Sequence, residues 1–139
     1  MTVRPMLIQL NTRGNADMID ISGQVAECIQ ESGVKDGIVT IFCPSSTSAV
    51  TTIEYEPGCL SDLQRLFDEL ANPHREYGHD RAWGDGNGHA HLRSALLKTS
   101  LTVPFTNGHM TLGTWQQIVY VDFDNRARVR EIVVQVMGD

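Results

Sequence analysis

Apolar positions recur along this chain mostly with a period near two, the spacing of half-buried strands, and only two clear stretches change to the three-and-four spacing of a helix. Met6 to Leu10 predicts a short strand and Met18 to Ile21 another. Ser22 then stands as the cap of a helix whose inward face is Val25, Cys28 and Ile29, with Gly33 where a left-handed residue would close it. Ile38 to Phe42 is a β-branched run of the kind found in buried strands, and Ala49 to Glu56 predicts a further strand ending at Pro57-Gly58. A second helix is signalled by the capping box Ser61 and Gln64 and by the stripe Leu63, Leu66, Phe67 and Leu70, and it stops at Asn72-Pro73. Between His74 and His91 the periodicity disappears into a glycine-rich loop. A short helix around Leu92 to Leu97 follows. The remainder reads as strands over Ser100 to Phe105, Thr111 to Phe123 and Arg128 to Met137, joined by turns at Asn107-Gly108 and Asp124-Asn125. Tight turns between successive strands, with helices interspersed, predict one α+β domain over residues 1–139 with a mostly antiparallel sheet.

Composition narrows the class. With 41% hydrophobic residues among 139, the chain can bury a substantial core, so disorder is excluded for most of it. Seventeen acidic against 11 basic residues give a formal charge of −6. Such a surface repels nucleic-acid phosphates and anionic membranes, so neither partner is expected. No apolar run has the length to span a bilayer, and Met1 to Arg13 lacks the pattern of a signal peptide, so a cytoplasmic location is expected. Cys28, Cys43 and Cys59 are odd in number and widely spaced, which argues against a disulfide framework or a thiolate zinc site. Cys43, ahead of Pro44, remains the one nucleophile candidate among them.

Four of the five histidines fall between residues 74 and 91. In an extended segment His89 and His91 would point to one side and could share a divalent ion, with His79 folding back as a third nitrogen; ordinary polar loop residues would have the same spacing. The loop Asp85-Gly86-Asn87-Gly88-His89 is no EF-hand, because Ala90 and Leu96 occupy the positions that need Gly and Glu. Its glycines do permit close backbone approach to an anion at the start of the following helix. Glu54 and Glu56 alternate on one strand, where they would face solvent, pair with arginine, or serve a metal or proton-transfer site. Arg126, Arg128 and Arg130 continue the stripe of Ile132, Val134 and Val136, so a core-facing row becomes cationic at one end. That cluster could clamp a phosphate or carboxylate, or lock into ion pairs with Glu54, Glu56 or Asp122. Ser45, Ser46, Thr47, Thr51 and Thr52 add hydroxyl donors. Trp115 sits in the predicted Thr111–Phe123 strand as a core or subunit-interface residue.

Three segments, Ser46 to Gly58, Asp85 to Leu92 and Leu112 to Ile118, together resemble the YjbQ-like family in order and spacing, with a match running from about Pro5 to Gly138. The resemblance implies an antiparallel sheet curved into a half-barrel with helices packed against it, a homotrimer and a metal-binding active site. Family members are described as secondary thiamine-phosphate synthases, which condense a pyrimidine diphosphate with a thiazole phosphate. Position by position, it implies a divalent metal, with zinc expected, on His79, His89 and His91, and Asn87 as a polar neighbour. Glu54 and Glu56 become acid–base candidates, and Arg128, Arg130 and Thr51 the anion-binding groups. Ser45 departs from the His or Gly common after the loop proline, so any metal ligand supplied there is missing. The expected substrate is a small anionic or phosphorylated metabolite. A metal-dependent hydrolase and a non-catalytic trimeric metabolite-binding protein are the alternatives.

Overall fold

The computed structural model describes all 139 residues. Eight strands and four helices follow one another as β1 (Thr2–Thr12), β2 (Asp17–Asp20), α1 (Ser22–Ser32), β3 (Gly37–Phe42), β4 (Ser48–Ile53), α2 (Pro57–Leu70), α3 (Gly78–Trp83), α4 (Gly88–Leu97), β5 (Ser100–Thr106), β6 (His109–Met110), β7 (Gln117–Asp122) and β8 (Arg128–Gly138). They form a five-stranded sheet in the order β1-β8-β3-β5-β6 and a three-stranded sheet in the order β2-β7-β4, and every pairing is antiparallel. The result is the α+β half-barrel. No helix is long and apolar enough to cross a membrane.

Strand β7 shows why the two sheets enclose a barrel-like interior. Ile118 and Tyr120 belong to the main core with Ile8, Val25, Ile29, Val39, Ile41 and Val134. Val119 and Val121 belong to a second cluster with Phe67 of α2 and Ala90 of α4. The three-stranded sheet is therefore covered on both faces, which is why its central strand reads as continuous apolar sequence rather than alternation.

Several boundaries differ from the sequence expectation. Ser22 does not cap α1; Ile21 holds that position, and the Ser22 hydroxyl accepts the Ile118 N–H at 2.8 Å. Gly33 closes the helix with φ 74°, as expected. Helix α2 begins at Pro57, not at Ser61. Glu56 caps it, its carboxylate accepting the N–H groups of Gly58 and Cys59 at 2.8 Å each, and Pro57 occupies a first-turn position that needs no donor. The breaker pair is thus a helix start. Strand β4 consequently stops at Ile53, so Glu54 and Glu56 do not alternate on it. The predicted strand Thr111–Phe123 contains only β7, because Gln116 turns the chain: its N–H donates to the Gly113 carbonyl, and its Oε1 accepts the Gly113 N–H. Trp115 lies in that turn, 71% exposed, and not in the core.

Candidate functional site

The glycine-rich segment is not one long loop. Two short helices, α3 and α4, form within it, linked by Gly84 and Gly86 in the left-handed region at φ 67° and 68°. Their spacing leaves no room at Gly88, where a Cβ would lie 2.5 Å from Tyr77 Cβ. The Gly88 N–H donates to Asp80 Oδ1 at 2.8 Å and the Asn87 N–H to Asp85 Oδ1 at 3.2 Å. Two carboxylates therefore take the helix-start donors that the sequence offered to an external anion.

Because α4 starts at Gly88, His89 and His91 are helical neighbours and not extended ones. Two residues on a helix are about 200° apart, so the imidazoles diverge. His91 meets His79 of α3, with ring centroids 4.3 Å apart. His79, Asp85 and His91 each offer a ligand atom, and these lie within 4.8 Å of one another. His79 Nδ1 is buried without a hydrogen-bond partner, 3.4 Å from Asp85 Oδ1 and 3.8 Å from Asp80 Oδ1. A buried nitrogen lacking a donor or acceptor is costly unless something else pairs with it. Two imidazoles and a carboxylate are a donor set that holds divalent zinc with coordination positions left open. The residues present fit such an ion. His89 turns inward, 4% exposed, and its Nδ1 is also unpartnered. Burial and the nearby Arg93 guanidinium push its pKa below the usual histidine value, so it is neutral at pH 7.

Asp85 and His91 line a cavity of about 440 Å³ together with Ser45, Ser46, Thr47, Asn87, Asp124, Arg128 and Arg130, and Pro44 is its one apolar side chain. The cationic end of the β8 stripe thus faces the same space as His91. Arg130 is largely committed within the protein. Its Nε and one terminal nitrogen donate to the two oxygens of the fully buried Asp122 at 2.8 and 2.9 Å, and the terminal nitrogens also reach Ser45 Oγ at 3.0 Å and Thr47 Oγ1 at 2.8 Å. The bond to Asp122 raises the Arg130 pKa further, outweighing burial. Of the expected ion-pair partners, Asp122 is the one used. Arg128 pairs with Asp124 Oδ2 at 3.1 Å, but its Nε is buried and unpartnered. Burial alone would raise the Asp124 pKa; hydrogen bonds from Arg128, Thr47 and Asn87 outweigh it and hold the carboxyl below its ordinary value. Asn87 ties the two halves, donating from Nδ2 to Asp124 Oδ1 at 3.4 Å while its Oδ1 accepts the Asn125 N–H at 3.0 Å.

The structure gathers His79, His91, Asn87, Arg128 and Arg130 and leaves the other candidates outside this group. Glu54 and Glu56 line a separate cavity with Asp20 and Trp115, and Thr51 lines a groove between β4 and β5 with Lys98. Cys43 is 1% exposed, and burial pushes its thiol up to about 12, which removes it as a nucleophile at neutral pH. Asp85 and Asp124 join the site although their spacing pointed elsewhere: one read as part of a failed calcium loop, the other as a hairpin turn. The available signal was the pair of carboxylates Asp122 and Asp124 following an otherwise apolar strand, each a costly choice unless paired.

A sequence model of the family described as UPF0047 protein YjbQ-like matches residues 6–139. A UPF0047 protein of Methanothermobacter thermautotrophicus is 38% identical over 138 residues, 99% of this chain and 94% of that one. One of Archaeoglobus fulgidus is 36% identical over 132 residues, 95% of this chain and all of that one. The crystal structure of a YbjQ-like protein of unknown function from Sulfolobus solfataricus superposes with a TM-score of 0.89 at 30% identity, covering 99% of this chain and 100% of that one.

Proposed function

The chain belongs to the YjbQ-like UPF0047 family, and from that premise we propose that it is a metal-dependent enzyme acting on a small phosphorylated metabolite. The observation that carries this reading is the buried, unpartnered Nδ1 of His79 beside Asp85 and His91, at a cavity that those two residues share with Arg128. His79, Asp85 and His91 would hold the ion, zinc being the expected metal. The chemistry it supplies is Lewis-acid polarisation of a phosphate oxygen. Arg128 lines the cavity and offers its guanidinium charge to a second oxygen, and Ser46 lines the same wall. Arg130 acts through Thr47 and Ser45, fixing the hydroxyl loop while its own charge is balanced by Asp122.

The specific reaction that the family resemblance implies is thiamine-phosphate formation, in which diphosphate leaves the methylene carbon attached to the pyrimidine ring as the thiazole nitrogen bonds to that carbon. The purified protein, loaded with zinc, is incubated with both precursors. Product that disappears in His79→Ala and His91→Ala supports the assignment; no product above those controls rejects it.

The three-donor set, which leaves room for a water and a substrate oxygen, favours a metal-dependent phosphoester hydrolase as the second reading. Release of phosphate from a panel of phosphomonoesters, without thiamine phosphate formation, selects it. Thermal stabilisation by such ligands without turnover of any selects the binding-protein alternative. A homotrimer is part of the proposal and is supported by apolar side chains on the outer face of the five-stranded sheet: Val3, Leu7, Ile38 and Phe42 are 47%, 62%, 36% and 43% exposed. Light scattering on the purified protein measures it directly.

A further inference from the structure

The connection from β1 to β2 has a backbone that its sequence does not favour. Gly14, Asn15 and Ala16 follow one another with φ 75°, 53° and 65°, so three successive residues, only one of them glycine, occupy the left-handed region. Ala16 is 7% exposed. Strain of this kind persists where surrounding contacts over-determine it; Arg13 pairs locally with Asp17, and the contacts of Thr12, Gly14, Asn15 and Ala16 converge on the start of the β7–β8 connection. The Asn15 N–H donates to the Asp124 carbonyl at 2.7 Å and the Ala16 N–H to the Asp122 carbonyl at 2.8 Å. A Cβ on Gly14 would lie 2.5 Å from the carbonyl oxygens of both Asp124 and Arg126. Immediately before the turn, the buried Thr12 hydroxyl donates to Asp122 Oδ2 at 2.6 Å across 110 residues of sequence.

We propose that Thr12 to Ala16 is the positioning element of the cavity: it fixes the backbone of Asp122 and Asp124 and the side chain of Asp122, and through those carboxylates sets Arg130 and Arg128. None of these five residues lines the cavity; they reach the arginine side chains through the aspartates, and Thr12 also lies 3.3 Å from the Arg128 carbonyl, its partner across β1 and β8. A simple connector between two strands would spend its N–H groups on solvent or on its own turn. This one spends two on the carbonyls of the residues that orient both arginines. The consequence for ligand binding rests on the anion-site reading above; the consequence for the arginines does not.

Two variants test it, Thr12→Val, which keeps the side-chain shape and deletes the hydrogen bond, and Gly14→Ala, which forces the Asp124–Arg126 backbone aside. The primary readout is hydrogen exchange of the Arg130 Nε–H by NMR, with the Arg93 Nε–H as internal reference. Arg93 is 2% exposed and donates to the Ala71 carbonyl and Asp68, so although its guanidinium lies over Phe123 it shares no hydrogen bond with this network. The expected result is at least tenfold faster exchange at Arg130 with Arg93 unchanged, and at least fivefold weaker binding of inorganic phosphate with zinc affinity within twofold. Unchanged Arg130 exchange, or equal acceleration at both arginines, overturns the proposal. Selective acceleration at Arg130 in a protein that binds no phosphate upholds the positioning role and removes the anion-site reading instead. If Gly14→Ala does not fold, Thr12→Val decides.

Discussion

His79 Nδ1 and Asp85 Oδ1 face each other at 3.4 Å across the left-handed turn that links α3 to α4, and the nitrogen, though buried, makes no hydrogen bond. Neighbouring His91 completes a set of three donors. The histidine two residues earlier, His89, is turned away by the helix.

That division predicts different metal phenotypes for adjacent positions. Asp85→Asn keeps the side-chain shape and weakens zinc binding by at least tenfold, measured by competition with a chelating dye. His89→Gln leaves zinc affinity within threefold and instead lowers the melting temperature, because it alters a buried side chain between α4 and the Asp80–Asp124 region. Equal losses of zinc affinity at both positions contradict the arrangement.

The two arginines of β8 also separate. Asp122 is fully buried and accepts two bonds from Arg130. Arg130→Met strands that charge and costs about 3 kcal/mol of stability by chemical denaturation. Arg128 is one-third exposed, and its buried partner Asp124 keeps bonds from Thr47 and Asn87 and lies 3.6 Å from Arg130, so Arg128→Met costs about 1 kcal/mol. Phosphate affinity changes in the opposite order, falling at least tenfold in Arg128→Met through loss of the guanidinium charge that lines the cavity. Stability losses of equal size would contradict the difference in their pairing.

Much of this was legible in the sequence where burial imposes a period. The stripe Arg128, Arg130, Ile132, Val134 and Val136 follows from strand alternation alone, and Arg130 does sit at the polar end of the core face. The histidine geometry was not legible, since α3 and α4 are too short to show an apolar stripe and their start depends on contacts such as Gly88 against Tyr77. An H-x-H pair has opposite consequences on a strand and on a helix. Likewise Glu56-Pro57-Gly58 has the composition of a strand end, but the Glu56 carboxylate accepts the Gly58 and Cys59 N–H groups and Pro57 needs no donor, which makes it a helix start. Asp85 became a site residue through a turn that no spacing rule describes.

Glu56 gives a pH test of that helix start. The Gly58 and Cys59 N–H groups stabilise its ionised form and lower its pKa from 4.5. The stabilisation is therefore present above about pH 4.5 and is lost as the pH falls through the lower folded value. Melting temperatures of the native protein and Glu56→Gln differ at pH 7 and converge toward pH 3. A difference of the same size at both pH values would show that the cap depends on something other than charge.

The thiols should divide by accessibility. Cys43 is buried with a pKa pushed up to about 12 by burial, and Cys28 is buried and raised by burial and by Glu31 and Glu27. Cys59, half-buried in the first turn of α2, is the accessible one. Titration of the native protein with a disulfide reagent at pH 8 releases one equivalent rapidly, and the other two only in denaturant. Rapid release of two or three contradicts the burial.

The central claim is that His79, Asp85 and His91 hold a divalent ion beside Arg128. Anomalous diffraction at the zinc absorption edge, from crystals grown with equimolar zinc, tests it most directly. The predicted result is one strong peak per chain within coordination distance of His79, Asp85 and His91. A peak on other residues, or none at this cluster with zinc present, would contradict it.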